Sequence, residues 1–459
     1  MLDLKDNDKK VFFCGIGGIS MSGFAEMLKD KGFEVLGSDR NESSITKHLE
    51  SIGIKVLIGQ KAENITNDID LFVNTAAIKA DNPEMIKAHE LGLKVIERSE
   101  LLGDIMKNFK YSIGISGTHG KTTTTSMICH IFIAAKKDPT ISLGGMLDLI
   151  GGNMRCGNGE YFIAEACEYC DSFLQFYPTT AVILNIEADH LDYFKDINAI
   201  RTSFIKYAKH VPKAGNLIIN ADIDNLEEIT SQMECNVITY SVDNKKADWT
   251  ADNISYDENG KGRFDIIHRG EKVGRVSLNV GGIHNISNSL AAIAAAYSNG
   301  LKMEIIIKGL ESFSGTHRRF EYKGELKGVR IIDDYAHHPT EIKATLNLAK
   351  ANKHNKLWCI FQPHTYTRTK ELLQEFSQCF DEADNIIIAD IYAAREKNTV
   401  KIYPQDLVEK IKKRGKNAMY LGGFEQIEKY IIENAVDGDL LITMGAGDVY
   451  LIGEALLNN

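Results

Sequence analysis

Along the chain, short apolar runs alternate with longer stretches in which apolar residues recur three and four positions apart. Each run closes on a glycine or a polar cluster before the periodic stretch begins. Strands feeding helices through tight turns produce this pattern, so an α/β protein with largely parallel sheets is predicted. A first group of runs covers residues 11–16, 34–37, 55–58, 71–74 and 93–96. A second begins at 111–115, ahead of a helical stretch at 127–135, and continues at 161–166 and 181–192. A third repeats the strand–helix scheme through the stretches 329–341 and 357–368, a run at 385–390, and a strand with a glycine turn within 440–448. A basic, hinge-like segment at 314–319 separates the last two groups. These groups divide the 459 residues into units at 1–108, 109–315 and 316–459.

Composition narrows the class. With 44% hydrophobic and 25% charged residues, the chain can bury sizeable cores. A net charge of −10 without a basic stripe argues against nucleic acid as a partner. The charged residues 1–10 hold no apolar signal region, and no run nears the ~18 apolar residues that span a bilayer. A cytoplasmic location without membrane attachment is expected, and eight scattered cysteines suit a reducing compartment. Cys167 and Cys170 form a lone pair with no second pair nearby, which reads as incidental rather than zinc-binding.

Chemistry concentrates where the apolar runs end. Gly117-Thr-His-Gly-Lys-Thr-Thr joins a strand to a helix, and such a turn aims backbone N–H groups and the helix dipole at one point. Gly117, Thr118, His119, Gly120, Lys121, Thr122 and Thr123 are therefore the expected ATP cradle. Lys121 is placed for the outer phosphates and Thr122 for Mg²⁺. The usual first glycine of a P-loop would fall at Ile115, so the match is partial. The middle unit is read as a P-loop ATPase-like parallel or mixed sheet. Gly15-Ile-Gly-Gly-Ile-Ser-Met-Ser-Gly23 resembles a dinucleotide turn in a Rossmann-like unit. Ser20 stands at its third glycine, and Asp39 ends the next strand near the place of a ribose-binding acid. Glu165 and His190 fall at strand ends that should share an edge with the P-loop and suit Mg²⁺. His284, Asn285 and Asn288 open an alanine-rich helix, where they can cap it or meet a purine edge. The C-terminal unit, also Rossmann-like, gathers Tyr335, His337, His338, His364 and Arg368 at strand ends.

Taken together, these motifs resemble the Mur ligase family. They are Gly117-Thr-His-Gly-Lys-Thr-Thr, Asn185-Ile-Glu-Ala-Asp-His-Leu-Asp, His284-Asn-Ile-Ser-Asn, Arg318-Arg-Phe-Glu, Asp333-Asp-Tyr-Ala-His-His-Pro-Thr-Glu and Phe361-Gln-Pro-His-Thr-Tyr-Thr-Arg-Thr. They stand in family order across nearly the whole chain. The N-terminal turn and the Asp-Asp-Tyr-x-His-His-Pro run are similar to the branch that joins L-alanine to UDP-N-acetylmuramate. The resemblance implies three domains, an ATP- and Mg²⁺-dependent ligation through an acyl phosphate, and a monomer or homodimer. It implies nucleotide-sugar contacts at Gly15, Gly17, Gly18, Ser20, Asp39 and Arg98, with Lys121, Glu165, His190, His337 and Arg368 catalytic. Thr122 and Glu165 would take one Mg²⁺ and His190 a second. Arg319 would reach the phosphates on closure, His284, Asn285 and Asn288 would lie by the adenine, and Tyr335, His337 and Arg368 would face the amino acid. The chain departs from the family at Cys167-Glu-Tyr after Glu165-Ala, at Thr365 and at Gln60; Phe204 fills the slot where other branches carry a carbamylated lysine. Competing readings are a ligase recycling murein peptides, a pyridine-nucleotide oxidoreductase and a non-catalytic UDP-sugar sensor.

Overall fold

The computed structural model describes residues 2–5, 7–75, 78–191, 193–394 and 396–458. Three sheets lie in chain order, each sandwiched by helices. In the first, Lys10–Cys14 is central, with Glu34–Asp39 and Lys55–Ile58 on one side and Leu71–Asn74 and Lys94–Glu97 on the other. All its pairs are parallel. Val11, Phe12, Phe13 and Cys14 are wholly buried, because helices cover both faces of a parallel sheet. Phe12 stacks on Phe72 of the neighbouring strand with ring centroids 5.6 Å apart. Strand order reverses at Lys10–Cys14, so its carboxyl end is the switch point where a doubly wound sheet takes a ligand.

The second sheet has ten strands among the described residues, with Tyr111–Ser116 between Thr180–Ile183 and Tyr161–Glu165. Its parallel centre carries antiparallel additions at both edges. One edge has Gly152–Arg155 against Thr140–Leu147; the other has the ribbon Trp249–Tyr256, Lys261–His268 and Glu271–Gly281. The sequence pattern did not reveal this ribbon. Its outer strand buries only Val276 and Leu278 on alternate positions, a weak signal beside the solid apolar parallel strands. Helix Ile283–Ser298 runs its alanines 291, 292, 294, 295 and 296 wholly buried across the core. A Cβ on Gly309 of helix Met303–Ser312 would overlap the backbone of Ile131, so these helices cross in close contact.

The third sheet has six strands among the described residues, five of them parallel, with Glu321–Leu326 antiparallel at its edge. Arg318 binds it to the linker: Nε donates to Asp333 Oδ2 at 2.9 Å, and Nη1 and Nη2 donate to the carbonyls of Gly447 and Gly445. The N-terminal unit docks on the central one through helix Arg98–Met106, where a Cβ on Gly103 would overlap the Gln175 carbonyl. No helix among the described residues is long and apolar enough to cross a membrane.

Candidate active site

Strand Tyr111–Ser116 delivers its glycine turn to the middle of the molecule. Gly117 and Gly120 take φ of 143° and 84°, a region open to glycine, and helix Lys121–Ala134 starts without a side-chain cap. Its first N–H groups are thus free for an anion. Lys121 Nζ folds back to donate to the carbonyls of Gly117 and Thr118 and pairs with Glu168 Oε2 at 3.0 Å. Burial opposes this charge, but Glu168, itself 2% exposed, more than restores it and raises the lysine pKa.

Beside it, Glu165 ends strand Tyr161–Glu165 and accepts from the Gly144 N–H at 2.8 Å, with Thr122 also hydrogen-bonded to it. Burial raises the Glu165 carboxyl above the usual range. A Cβ on Gly144 would lie 2.7 Å from Glu165 Oε2, and one on Gly145 3.0 Å from Thr122 Cγ2. Glycines therefore keep space around a partly buried oxygen pair suited to a hard divalent cation.

Opposite the P-loop, helix Ile283–Ser298 contributes His284, Asn285 and Asn288. The capping alternative is not realised, since the N-cap is Gly282 and no side chain caps this helix start. Asn285 donates to the Gly281 carbonyl at 2.7 Å, Asn288 donates to Asn285 Oδ1 at 3.2 Å, and Asn288 Oδ1 lies where a Gly120 Cβ would approach to 2.7 Å. Burial drives the His284 pKa down to about 4, leaving it neutral. Between this helix start, the P-loop and the C-terminal unit lies a cavity of about 250 Å³ whose walls include Thr123, Asn185, Asn220, Arg319 and Asp334. Arg319 stands 5.0 Å from the Tyr335 ring and lowers the pKa of Asp334 against burial, which still carries it up to about 6. Adjacent arginines thus separate: Arg318 builds the linker and Arg319 faces the cavity.

A second cavity, of about 390 Å³, is walled by Tyr169, Asp189, His190, His364, Thr365 and Arg368. Arg368 donates Nε and Nη2 to Asp189 Oδ1 at 3.0 and 2.9 Å, joining C-terminal and central units. Burial would raise the Asp189 pKa, but Arg368 holds it far below the usual range. His190 lies here, its ring 4.6 Å from that of Tyr169 and Nε2 3.8 Å from Asp189. Its placement is on the second cavity's wall, whereas Thr122 and Glu165 pair beside the P-loop. His337 and His364 face each other at 5.9 Å and burial lowers both to about 4. Thr365, at φ 65°, caps helix Tyr366–Glu371 by accepting from the Arg368 N–H. Phe204 is wholly buried against Phe173.

In the N-terminal unit, Gly15 takes φ of 83°, and the N–H groups of Gly15 and Ile16 donate to the Ser38 carbonyl. Gly17 N–H donates to Asp39 Oδ2 at 2.9 Å, so Asp39 braces the turn. Gly18 is the N-cap of helix Ile19–Asp30, Ser20 sits in its first turn, and Arg98 opens helix Arg98–Met106. Gln60 accepts from Asn82 at 2.8 Å at the same sheet edge. Sequence reasoning overlooked Glu84, wholly buried, which accepts from Ser38 Oγ at 2.6 Å and Asn64 Nδ2 at 2.6 Å. It also left Glu168, Glu187, Asp189 and Glu341 outside the site. Each lies within five residues of an expected site residue, and charge opposite Lys121, His119 and Arg368 was the available signal.

The chain belongs to the Mur ligase family. Three family descriptions cover it in order: "Mur ligase family, catalytic domain" over residues 10–110, "Mur ligase middle domain" over 115–296 and "Mur ligase, glutamate ligase domain" over 318–447. It is 54% identical over 451 residues to the UDP-N-acetylmuramate–L-alanine ligase of Acetivibrio thermocellus, spanning 98% of this chain and 96% of that protein. To the protein of the same name in Clostridium novyi it is 53% identical over 454 residues, covering 99% and 98%. Among solved structures it resembles UDP-N-acetylmuramate–alanine ligase from Thermotoga maritima, with TM-score 0.81, 29% identity and 98% of each chain covered. A murein peptide ligase from Psychrobacter arcticus matches with TM-score 0.73, 27% identity and the same coverage.

Proposed function

We propose that this protein joins L-alanine to the lactyl carboxylate of UDP-N-acetylmuramate, using ATP and forming ADP and phosphate in the cytoplasm. The observation that carries the reading is that the central and C-terminal units wall two cavities together: His119, Gly120 and Thr123 of the P-loop share one with Arg319, and Asp189 and His190 share the other with Arg368. Identity of 52–54% across 98–99% of the chain to alanine ligases favours alanine over a peptide as the amine. We take the domain limits as 1–108, 109–315 and 316–459, with the nucleotide sugar on the Gly15 turn.

A carboxylate resists attack by an amine, so it is first phosphorylated and the acyl phosphate is then opened by the amine. Phosphoryl transfer asks for alignment and charge neutralisation. Lys121 would exchange Glu168 for the β- and γ-phosphates, and the open helix start would hold the phosphate chain. Thr122 and Glu165 would hold Mg²⁺, which would supply positive charge to offset that of the phosphates. We assign His190 to the edge of the second cavity, as the candidate for a second ion. Arg319 would steady the transferring group. Neutral His337 is in the state to take a proton from the amine, beside Arg368 and Tyr335. Closure keeps water from the acyl phosphate.

The test is phosphate release with ATP, Mg²⁺ and UDP-N-acetylmuramate while each amine is added in turn. Release that needs both the nucleotide sugar and L-alanine is expected. Release that ignores alanine and tracks a murein peptide would move the assignment to the recycling reaction, which the likeness to the murein peptide ligase makes the relevant rival.

A further inference from the structure

His119 belongs to the P-loop, yet its side chain is held by two carboxylates that the phosphate chemistry does not use. Glu341, the third residue of helix Pro339–Ala351, accepts the backbone N–H groups of His337 and His338 on Oε2 at 3.0 and 3.3 Å. Its other oxygen accepts from His119 Nδ1 at 3.0 Å. Glu187, from the central unit, lies 3.4 Å from His119 Nε2 and accepts from Thr340 Oγ1 at 2.8 Å. The His338 ring packs on His119 with centroids 4.7 Å apart. A P-loop imidazole is thus gripped from both sides of the cleft, and both carboxylates touch the first turn of the same C-terminal helix.

We propose that Glu341 and Glu187 are positioning residues, which act through His119 to lock the P-loop to the turn that carries Tyr335 and His337 when the cleft closes. The proposal rests on the ATP-dependent ligase reading for its effect on turnover. The geometry makes the coupling direct. Glu341 caps the helix with one oxygen and reaches the P-loop with the other, so the turn cannot shift without loosening the P-loop contact. A buried ion pair that loses one partner leaves the other charge stranded, which makes the lock sensitive to single changes. The groups facing His119 are Glu187 on the central side and Glu341 and His338 on the C-terminal side; Arg319 and His337 in turn act on Glu341. Burial opposes the His119 charge, but the two glutamates outweigh it and carry its pKa from 6.5 to about 9. Burial likewise opposes ionisation of Glu341, yet His337 and His119 hold it well below the carboxylate range. With the closed-state pKa raised, the lock is complete below about 6.5 and is lost as pH rises through about 9.

Glu341→Gln separates the lock from the helix cap, since an amide oxygen still accepts the two N–H groups while the charge is gone. With full-length protein, kcat should fall about tenfold with little change in KM for the nucleotide sugar, and the alkaline limb of kcat should move by about one pH unit toward acid. Glu187→Gln should shift the limb in the same direction from the other side of the cleft. His119→Arg, which keeps a cation that does not titrate, should abolish the limb. Amide hydrogen exchange with a non-hydrolysable ATP analogue should show helix Pro339–Ala351 protected in the parent and less so in Glu341→Gln, at equal melting temperature. Parent-like kcat, pH limb and exchange in both glutamine variants would overturn the proposal. A parent protein that fails to ligate while its exchange still depends on Glu341 would overturn the ligase reading and leave the lock standing.

Discussion

The chain carries two glycine turns of the same plan, each closing a central parallel strand and opening a helix whose start has no side-chain cap. After Lys10–Cys14, the turn is braced from its own sheet: Ser38 and Asp39 of the adjacent strand take the N–H groups of Gly15, Ile16 and Gly17. After Tyr111–Ser116, the turn's cationic side chains are held from outside, Lys121 by Glu168 and His119 by Glu341 of another unit. In both places the start of the helix points its N–H groups toward the turn. The residue that opens the helix makes the difference: Ile19 after one turn and Lys121 after the other. The first turn is thus fixed within its own unit. The second carries charges already paired with carboxylates, one of them from the C-terminal unit, so a nucleotide bound there as proposed would have to displace such a pair.

The comparison can be broken at its strongest point by Lys121→Ala. Ligation should fall by about a thousandfold while nucleotide-sugar affinity stays close to the parent value, measured by turnover and calorimetry. Equal losses of both would mean that the two turns share one ligand. Next in size, Arg319→Ala should lower kcat by about thirtyfold and change the nucleotide-sugar KM much less, because Arg319 acts from across the cleft. A change confined to that KM would place Arg319 with the first turn instead. The smallest effect belongs to Asp39→Asn, which weakens a brace within one sheet. The nucleotide-sugar KM should rise about fivefold with kcat unchanged, and an equal fall in kcat would show that this turn also senses closure.

Much of the fold was legible because parallel strands buried on both faces are solid apolar runs. The expected strands at 55–58 and 71–74 match Lys55–Ile58 and Leu71–Asn74, and most others differ by a residue or two at their ends. The run at 181–192, however, is strand only over Thr180–Ile183, so His190 lies in the loop beyond it and not at a strand end. The antiparallel ribbon from Trp249 to Gly281 was not legible, since its half-exposed strands alternate only locally. Among site residues, glycines and the P-loop lysine announce themselves by spacing. Glu168 and Glu341 do not, because a glutamate at or near a helix start looks like any solvated charge until its partner arrives. Arg318 and Arg319 show the same limit: neighbours in the chain, one builds the linker and the other lines the cavity.

The sequence by itself determined the alternation of strand and helix, the three-unit order, and the two glycine turns, because local periodicity and backbone freedom depend on a few consecutive residues. The tertiary structure alone decided which charges meet. Glu341 stands 222 positions from His119 and Arg368 179 positions from Asp189, yet each pair lies within hydrogen-bonding distance. Such pairs form only after separate sheets have folded and docked, since burial then removes the water that would otherwise screen them.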